Sequence, residues 1–187
     1  MSTSSRPRYH HGSLKAALLD AADGLLDEGG TGAVSLREVA RRAGVSATAS
    51  YRHFASKEDL LVALATRGFD EFGAAIQVAS QTPDHPLTAM GVAYVRFAVA
   101  HPGLFRLMFG PAIGNRAQHP MLREAANRTF QQLAAVIDAP GEATAGPRMS
   151  ATGAWALVHG LATLILDGML AADDVEGLVR SVLAASR

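Results

Sequence analysis

The stretch from Ser35 to Phe54 constrains the fold more than any other, because two helix starts and an enforced stop fall within 20 residues. Ser35-Leu-Arg-Glu38 is a capping box, in which a serine hydroxyl and a glutamate carboxylate serve each other's backbone amides at the head of a helix. Ala40 is small where two helices cross closely, and Gly44 sits where the turn favours a positive φ that costs a side-chained residue energy. Ser46 can cap a short following helix that reaches Phe54, and Val39, Val45 and Phe54 supply a small core. These are the requirements of a helix-turn-helix, although an Ala-Gly-Val turn alone also suits a purely structural helical hairpin.

The flanking sequence extends the helical pattern. Leu14, Ala17, Leu18, Ala21 and Leu25 recur at helical spacing from Ser13 until Gly29-Gly30 ends the run. Ser56-Lys-Glu-Asp59 opens a fourth, longer helix through Leu61, Leu64, Phe72 and Ile76, which Pro83-Asp-His-Pro86 interrupts. Beyond it the pattern predicts helices at 86–100, 102–109, 120–138, 147–170 and 173–185, joined by proline and glycine clusters near 111–114 and 139–147. No strand alternation competes. The expected fold class is all-α: an N-terminal three-helix helix-turn-helix domain joined by a long helix to a helical C-terminal domain. The expected divisions are a flexible arm at 1–12, a DNA-binding domain at 13–72 with its motif at 35–54, and a C-terminal domain at 73–187.

Charge separates the two ends. Residues 1–57 hold 8 Lys or Arg against 5 Asp or Glu, and the remainder holds 9 against 12, although the whole chain is neutral. A basic end on an acidic body suits a protein that touches phosphates with one end only. The absence of cysteine excludes disulfides, thiolate metal sites and a cysteine nucleophile. The opening residues lack the apolar run of a signal peptide and no stretch suits a membrane span, so a cytoplasmic protein without a membrane partner is expected.

If the motif grips duplex DNA, its second helix lies in the major groove. Ser46, Ala47, Thr48 and Ser50 then face base edges. Tyr51, His53 and Lys57, with Ser35 and Arg37 at the head of the preceding helix, are placed to donate hydrogen bonds to the backbone. Arg6 and Arg8 of the arm can enter the neighbouring minor groove. Of the adjacent Arg41 and Arg42, one is expected on a solvated face.

Ser35-Leu-Arg-Glu-Val-Ala-Arg-Arg-Ala-Gly-Val-Ser46, followed by Tyr51-Arg-His-Phe-Ala-Ser-Lys57-Glu-Asp-Leu-Leu61, resembles the DNA-binding domain of the TetR family. Tyr9-His-His-Gly-Ser-Leu14 is similar to a variant of that family's N-terminus. His101-Pro-Gly-Leu-Phe-Arg-Leu-Met-Phe109 and Trp155-Ala-Leu-Val-His-Gly160 resemble the Trp-His-Gly type of its C-terminal domain. The resemblance implies a homodimer joined through the last two long helices, a ligand cavity in the C-terminal domain, and repression of operator DNA relieved by an effector. The chain departs from the family pattern before the helix 3 tyrosine, with Ala49 where a threonine is usual and Ser50 where leucine or proline is usual. Ser50 therefore either reads a base or weakens the packing of its helix.

Polar residues set among apolar ones in the C-terminal part are the candidate ligand contacts: Arg96, His101, Arg106, Asn127 and His159. Phe97, Phe105, Phe109, Phe130 and Trp155 accompany them. Trp155 and His159, one helical turn apart, also suit a satisfied core pair, and the phenylalanines suit core before lining. For the dimer seam the candidates are Gly153, Ala156, Gly160 and Leu164 on one helix, and Val175, Leu178, Val179 and Val182 on the next. Catalysis has little to stand on, since the histidines are scattered without an i, i+4 pair and no phosphate-binding glycine loop or nucleophile motif exists. The partners that the resemblance implies are double-stranded operator DNA, a second copy of the chain and a small-molecule effector, with no cofactor and no metal expected.

Overall fold

The computed structural model describes residues 11–137 and 150–184, and among them the secondary structure is helical, without strands. Arg6, Arg8 and the first residues of the helix expected from 147 lie outside the described residues. The chain divides into two compact units, Met1–Leu64 and Ala65–Arg187.

The first unit is built from α1 (His11–Ala33), α2 (Leu36–Arg42), α3 (Ala47–Tyr51) and the start of α4 (Lys57–Ser80). Gly29 and Gly30 break the helical geometry of α1 as their spacing predicts, Gly30 taking φ +63°, but a short helical stretch resumes and carries on to Ala33. Leu18, Ala22, Val34, Val39, Ala40 and Leu60 are fully buried and form the core, with Phe54 beside them. Val45 is only half-buried. An exposed ion pair joins Arg42 on α2 to Glu28 on α1, holding the Glu28 carboxyl below and the Arg42 guanidinium above their ordinary ranges.

The second unit holds the remainder of α4, then α5 (Pro86–Ala100), α6 (Pro102–Phe109), a 3-10 turn at Arg116–Gln118, α7 (Pro120–Ile137), α8 (Ala151–Leu166) and α9 (Val175–Ala184). Proline at the first position starts α5 and α6, where a missing N–H costs nothing. Ser150 caps α8 by accepting from Gly153 N–H at 3.1 Å. That helix stops at Leu166, short of the expected 170, because Gly168 at φ +72° reverses the chain while Gly168 and Met169 donate back to Ile165 and Leu164.

The central helix of this unit is α5, whose buried face includes Met90, Gly91, Tyr94, Val95, Phe97 and Ala98. It packs against α6, α7, α8 and α9. A Cβ at Gly91 would lie 2.6 Å from Val179 of α9 and 3.3 Å from Val158 of α8, so glycine is what allows these helices to close together.

Candidate DNA-reading surface and ligand cavity

Local chemistry fixes the turn between α2 and α3. Ser35 Oγ accepts from Glu38 N–H at 3.1 Å and starts α2. The reciprocal half of the capping box is absent: the Glu38 carboxylate instead accepts from Arg41 Nε at 2.9 Å, which holds it below the usual carboxylate range. A cation one turn away outcompetes a neutral amide for a charged acceptor. Gly44 takes φ +71°. Val45 N–H then donates to Ala40 O at 2.9 Å and Gly44 N–H to Arg41 O at 3.2 Å, which closes the end of α2. Ser46 Oγ accepts from Ala49 N–H at 3.3 Å and opens α3 at once.

The orientation of α3 follows. Ser46, Ala47 and Thr48 are exposed, and Tyr51 stands 57% exposed at the end of the helix. Ser50 does not face outward with them: it is 0% exposed, and its hydroxyl lies 2.7 Å from Ala47 O and 3.2 Å from Leu36 O. The expectation that Ser50 reads a base edge is therefore corrected. The hydroxyl seats α3 on α2, and the alternative that serine weakens this packing fails for the same reason. The helix also ends at Tyr51, before the expected Phe54, where His53 and Phe54 N–H both donate to Ser50 O at 3.0 Å.

Ser35, Arg37 and His53 are exposed around the same motif. Lys57 is exposed as well, but its ammonium donates to Thr31 O at 2.6 Å and so ties the head of α4 to the end of α1. Arg52, which sequence reasoning passed over, is an exposed cation directly after Tyr51. Its position next to two selected residues was the available signal.

In the second unit a cavity of about 470 Å³ lies among α4, α5, α6, α7, α8 and α9. Its walls include Phe69, Ile76, Met90, Met108, Leu133, Val158 and Leu183. Of the residues selected from sequence, Phe109, Asn127, Phe130 and Trp155 line it.

The others do not line it. Arg96 points outward from α5, and Phe97 and Phe105 are buried within an aromatic cluster. His101 rests on Phe97 at 5.0 Å where α5 gives way to α6. Arg106 is exposed, donating to Leu166 O at 2.9 Å with Asp167 at 3.5 Å. Helical phase accounts for these cases: a charge inside an apolar run is turned to whichever face escapes burial.

His159 lies behind the wall and acts through Tyr94, a lining residue that the sequence had hidden among apolar neighbours. Trp155 Nε1–H donates to Tyr94 Oη at 3.2 Å, and Tyr94 Oη lies 2.8 Å from His159 Nδ1. The donors run in one direction when His159 is neutral with its proton on Nε2, leaving Nδ1 to accept. Burial favours that state by lowering the His159 pKa. Burial also pushes the Tyr94 hydroxyl well above the ordinary phenol range, with the Trp155 hydrogen bond opposing it. Trp155 and His159 thus form a satisfied pair through a third residue.

Arg116 also lines the cavity and also escaped the sequence reading. Its guanidinium donates to Met108 O at 2.6 Å, Gly110 O at 2.9 Å and Leu107 O at 3.2 Å, closing the end of α6. Partial burial lowers its pKa.

On the α8 and α9 faces, Ala156 is exposed, Leu164 is 46% exposed, and Gly153, Gly160, Val175, Leu178 and Val182 are half-buried. Val179 is 0% exposed because it fills the space at Gly91, so it is core and not a seam residue. No helix among the described residues is long and apolar enough to cross a membrane.

The sequence of residues 18–64 matches the model for bacterial regulatory proteins of the tetR family. Residues 87–186 match that for the tetracyclin repressor-like C-terminal domain. The HTH-type transcriptional repressor KstR of Mycolicibacterium smegmatis is 33% identical over 113 residues, which cover 60% of this chain and 48% of KstR. The match therefore spans about half the length of that relative. Among solved structures, a protein of unknown function from Rhodococcus sp. RHA1 superposes with a TM-score of 0.79 at 32% identity, covering 96% of both chains. A TetR transcriptional regulator from the same organism gives 0.63 at 25% identity, covering 94% of this chain and 97% of its own.

Proposed function

The chain belongs to the TetR family of DNA-binding transcriptional regulators, which are not enzymes, and we propose that it is a cytoplasmic repressor released from a palindromic operator by a small-molecule effector. The observation that carries this reading is the outward face of α3. Ala47, Thr48 and Tyr51 stand free on a helix whose inner side is locked by Ser50, with Arg37, Arg52 and His53 exposed around it. A short helix seated this firmly presents side chains to a major groove without rearrangement, while the surrounding donors suit phosphates.

In this reading the first unit binds DNA, residues 1–12 carry Arg6 and Arg8 toward the minor groove, and the second unit binds effector and dimerises, its start lying ahead of the expected 73 because Phe69 lines the cavity. Two copies joined through the outward sides of α8 and α9 set their α3 helices about one turn of DNA apart, roughly 34–36 Å, which makes the operator a near palindrome. The effector shifts the dimer toward a different spacing only to the extent that it binds that form more tightly.

The test is a titration of the chain against its own upstream DNA at several salt concentrations. Tyr51→Ala and Lys57→Ala weaken binding to all sequences alike, and loss of the two Lys57 contacts in a dimer lowers the salt slope by roughly 2. Thr48 substitutions change base preference. Unchanged binding in both alanine variants removes the contact assignment.

A further inference from the structure

We propose that the cavity of the second unit takes an apolar molecule carrying a single anionic head, held by Arg116. The inference rests on the reading of this cavity as the effector site, and it adds the class of effector.

Tyr94 and Trp155 are committed to each other and to His159. Thr129 Oγ1 lies within hydrogen-bonding distance of Ala125 O and Phe69 O, at 3.2 and 3.3 Å. Asn127 and Thr152 are neutral and exposed. Among the described residues Arg116 is the one charged lining residue, and none of them that lines the cavity is Asp or Glu.

The guanidinium is also incompletely used. Of its five N–H groups, three donate to carbonyls at the end of α6, leaving two without a protein acceptor among the described residues. Those carbonyls are dipoles and fix the side chain in place, but they supply no full negative charge. A partly buried cation beside apolar walls, with no carboxylate partner among the described residues, repels a cationic ligand and favours an anion that uses the remaining donors. Aromatic and aliphatic walls of about 470 Å³ take the apolar body.

Three ten-carbon probes of one shape separate charge from burial: decanoate, decan-1-ol and decylammonium, each below its aggregation threshold. Trp155 is the one tryptophan of the chain and lines the cavity, so its emission reports entry directly. The expected result is saturable binding of decanoate at least about tenfold tighter than decan-1-ol, the low end for one charge-assisted hydrogen bond, with decylammonium weakest. Arg116→Gln brings decanoate to the affinity of the alcohol and leaves the alcohol unchanged.

Arg116→Gln also loses contacts to α6, so its fold is checked by circular dichroism. Arg116→Lys, which keeps the charge, retains a reduced preference for decanoate. The wild-type comparison decides without either variant: equal binding of alcohol and carboxylate overturns the anionic class while the cavity remains an effector site. Saturable binding of none of the three removes the effector reading and the proposal together.

Discussion

Replacing Tyr94 with phenylalanine removes one buried oxygen and tests whether the network behind the cavity wall holds the second unit together. The ring keeps its edge-on neighbours, Phe72 at 4.9 Å and Phe105 at 5.7 Å, so no cavity term arises. What disappears is the acceptor for Trp155 Nε1–H and the hydroxyl opposite His159 Nδ1. Two neutral hydrogen bonds at about 1 kcal/mol each set a ceiling near ~2 kcal/mol. Trp155 is 36% exposed and His159 is half-buried, so both orphaned groups can regain water. That places the expected loss at about 1–2 kcal/mol, and at about 2–4 °C per kcal/mol the melting temperature falls by roughly 2–8 °C. Urea denaturation followed by circular dichroism gives the stability, and the emission of Trp155 reports the lost hydrogen bond in the native state. A variant as stable as the parent within about 0.5 kcal/mol, with unaltered emission, would refute the network as a source of stability. A loss above about 4 kcal/mol would show that the oxygen supports packing well beyond its own bonds.

Ser50→Ala is expected to cost the helix-turn-helix about 1 kcal/mol in denaturant melts and to leave operator base preference unchanged, since the hydroxyl bonds inward. A shifted preference in a binding-site selection would return Ser50 to the groove. Burial holds the folded His159 pKa below its ordinary 6.5, so the unfolded chain takes up the proton first as pH falls. Stability is then full above about pH 6.5 and declines toward the depressed folded value; His159→Gln flattens that slope in melts across pH, and an unchanged slope would assign it to another group. Leu164→Glu with Leu178→Glu yields folded monomers by sedimentation, whereas Val179→Glu buries a charge in the core and unfolds the second unit. A dimer that survives the double substitution places the seam elsewhere.

What could be read from sequence divides by the range of the interaction. The Ser35 and Ser46 caps and the Gly44 turn depend on partners within a few residues, and sequence spacing alone determines whether those partners can meet. The inward turn of Ser50 is not legible in the sequence, because its orientation depends in part on Leu36 O, a carbonyl of the preceding helix that no local pattern encodes. Arg96 shows the opposite failure. Tyr94, Val95, Phe97 and Ala98 already imply a face that excludes it, so the phase of α5 contained the answer and the charge distracted from it. Tyr94 itself was hidden because one hydroxyl scarcely alters an apolar pattern. Arg116 was hidden because it follows a proline and glycine cluster, where periodicity carries no information.

Gly91 and Leu183 border the cavity, and Val179 of α9 rests against Gly91, so one side of the last helix forms wall while Val175, Leu178 and Val182 remain only half-buried on it. Cavity wall and proposed seam therefore occupy different sides of one short helix. Any molecule that displaces α9 enters a reciprocal account: the factor by which it alters self-association is the factor by which self-association alters its own affinity. An effector assayed at low protein concentration and again at high concentration should then give two different dissociation constants, and their ratio measures that linkage without any DNA present.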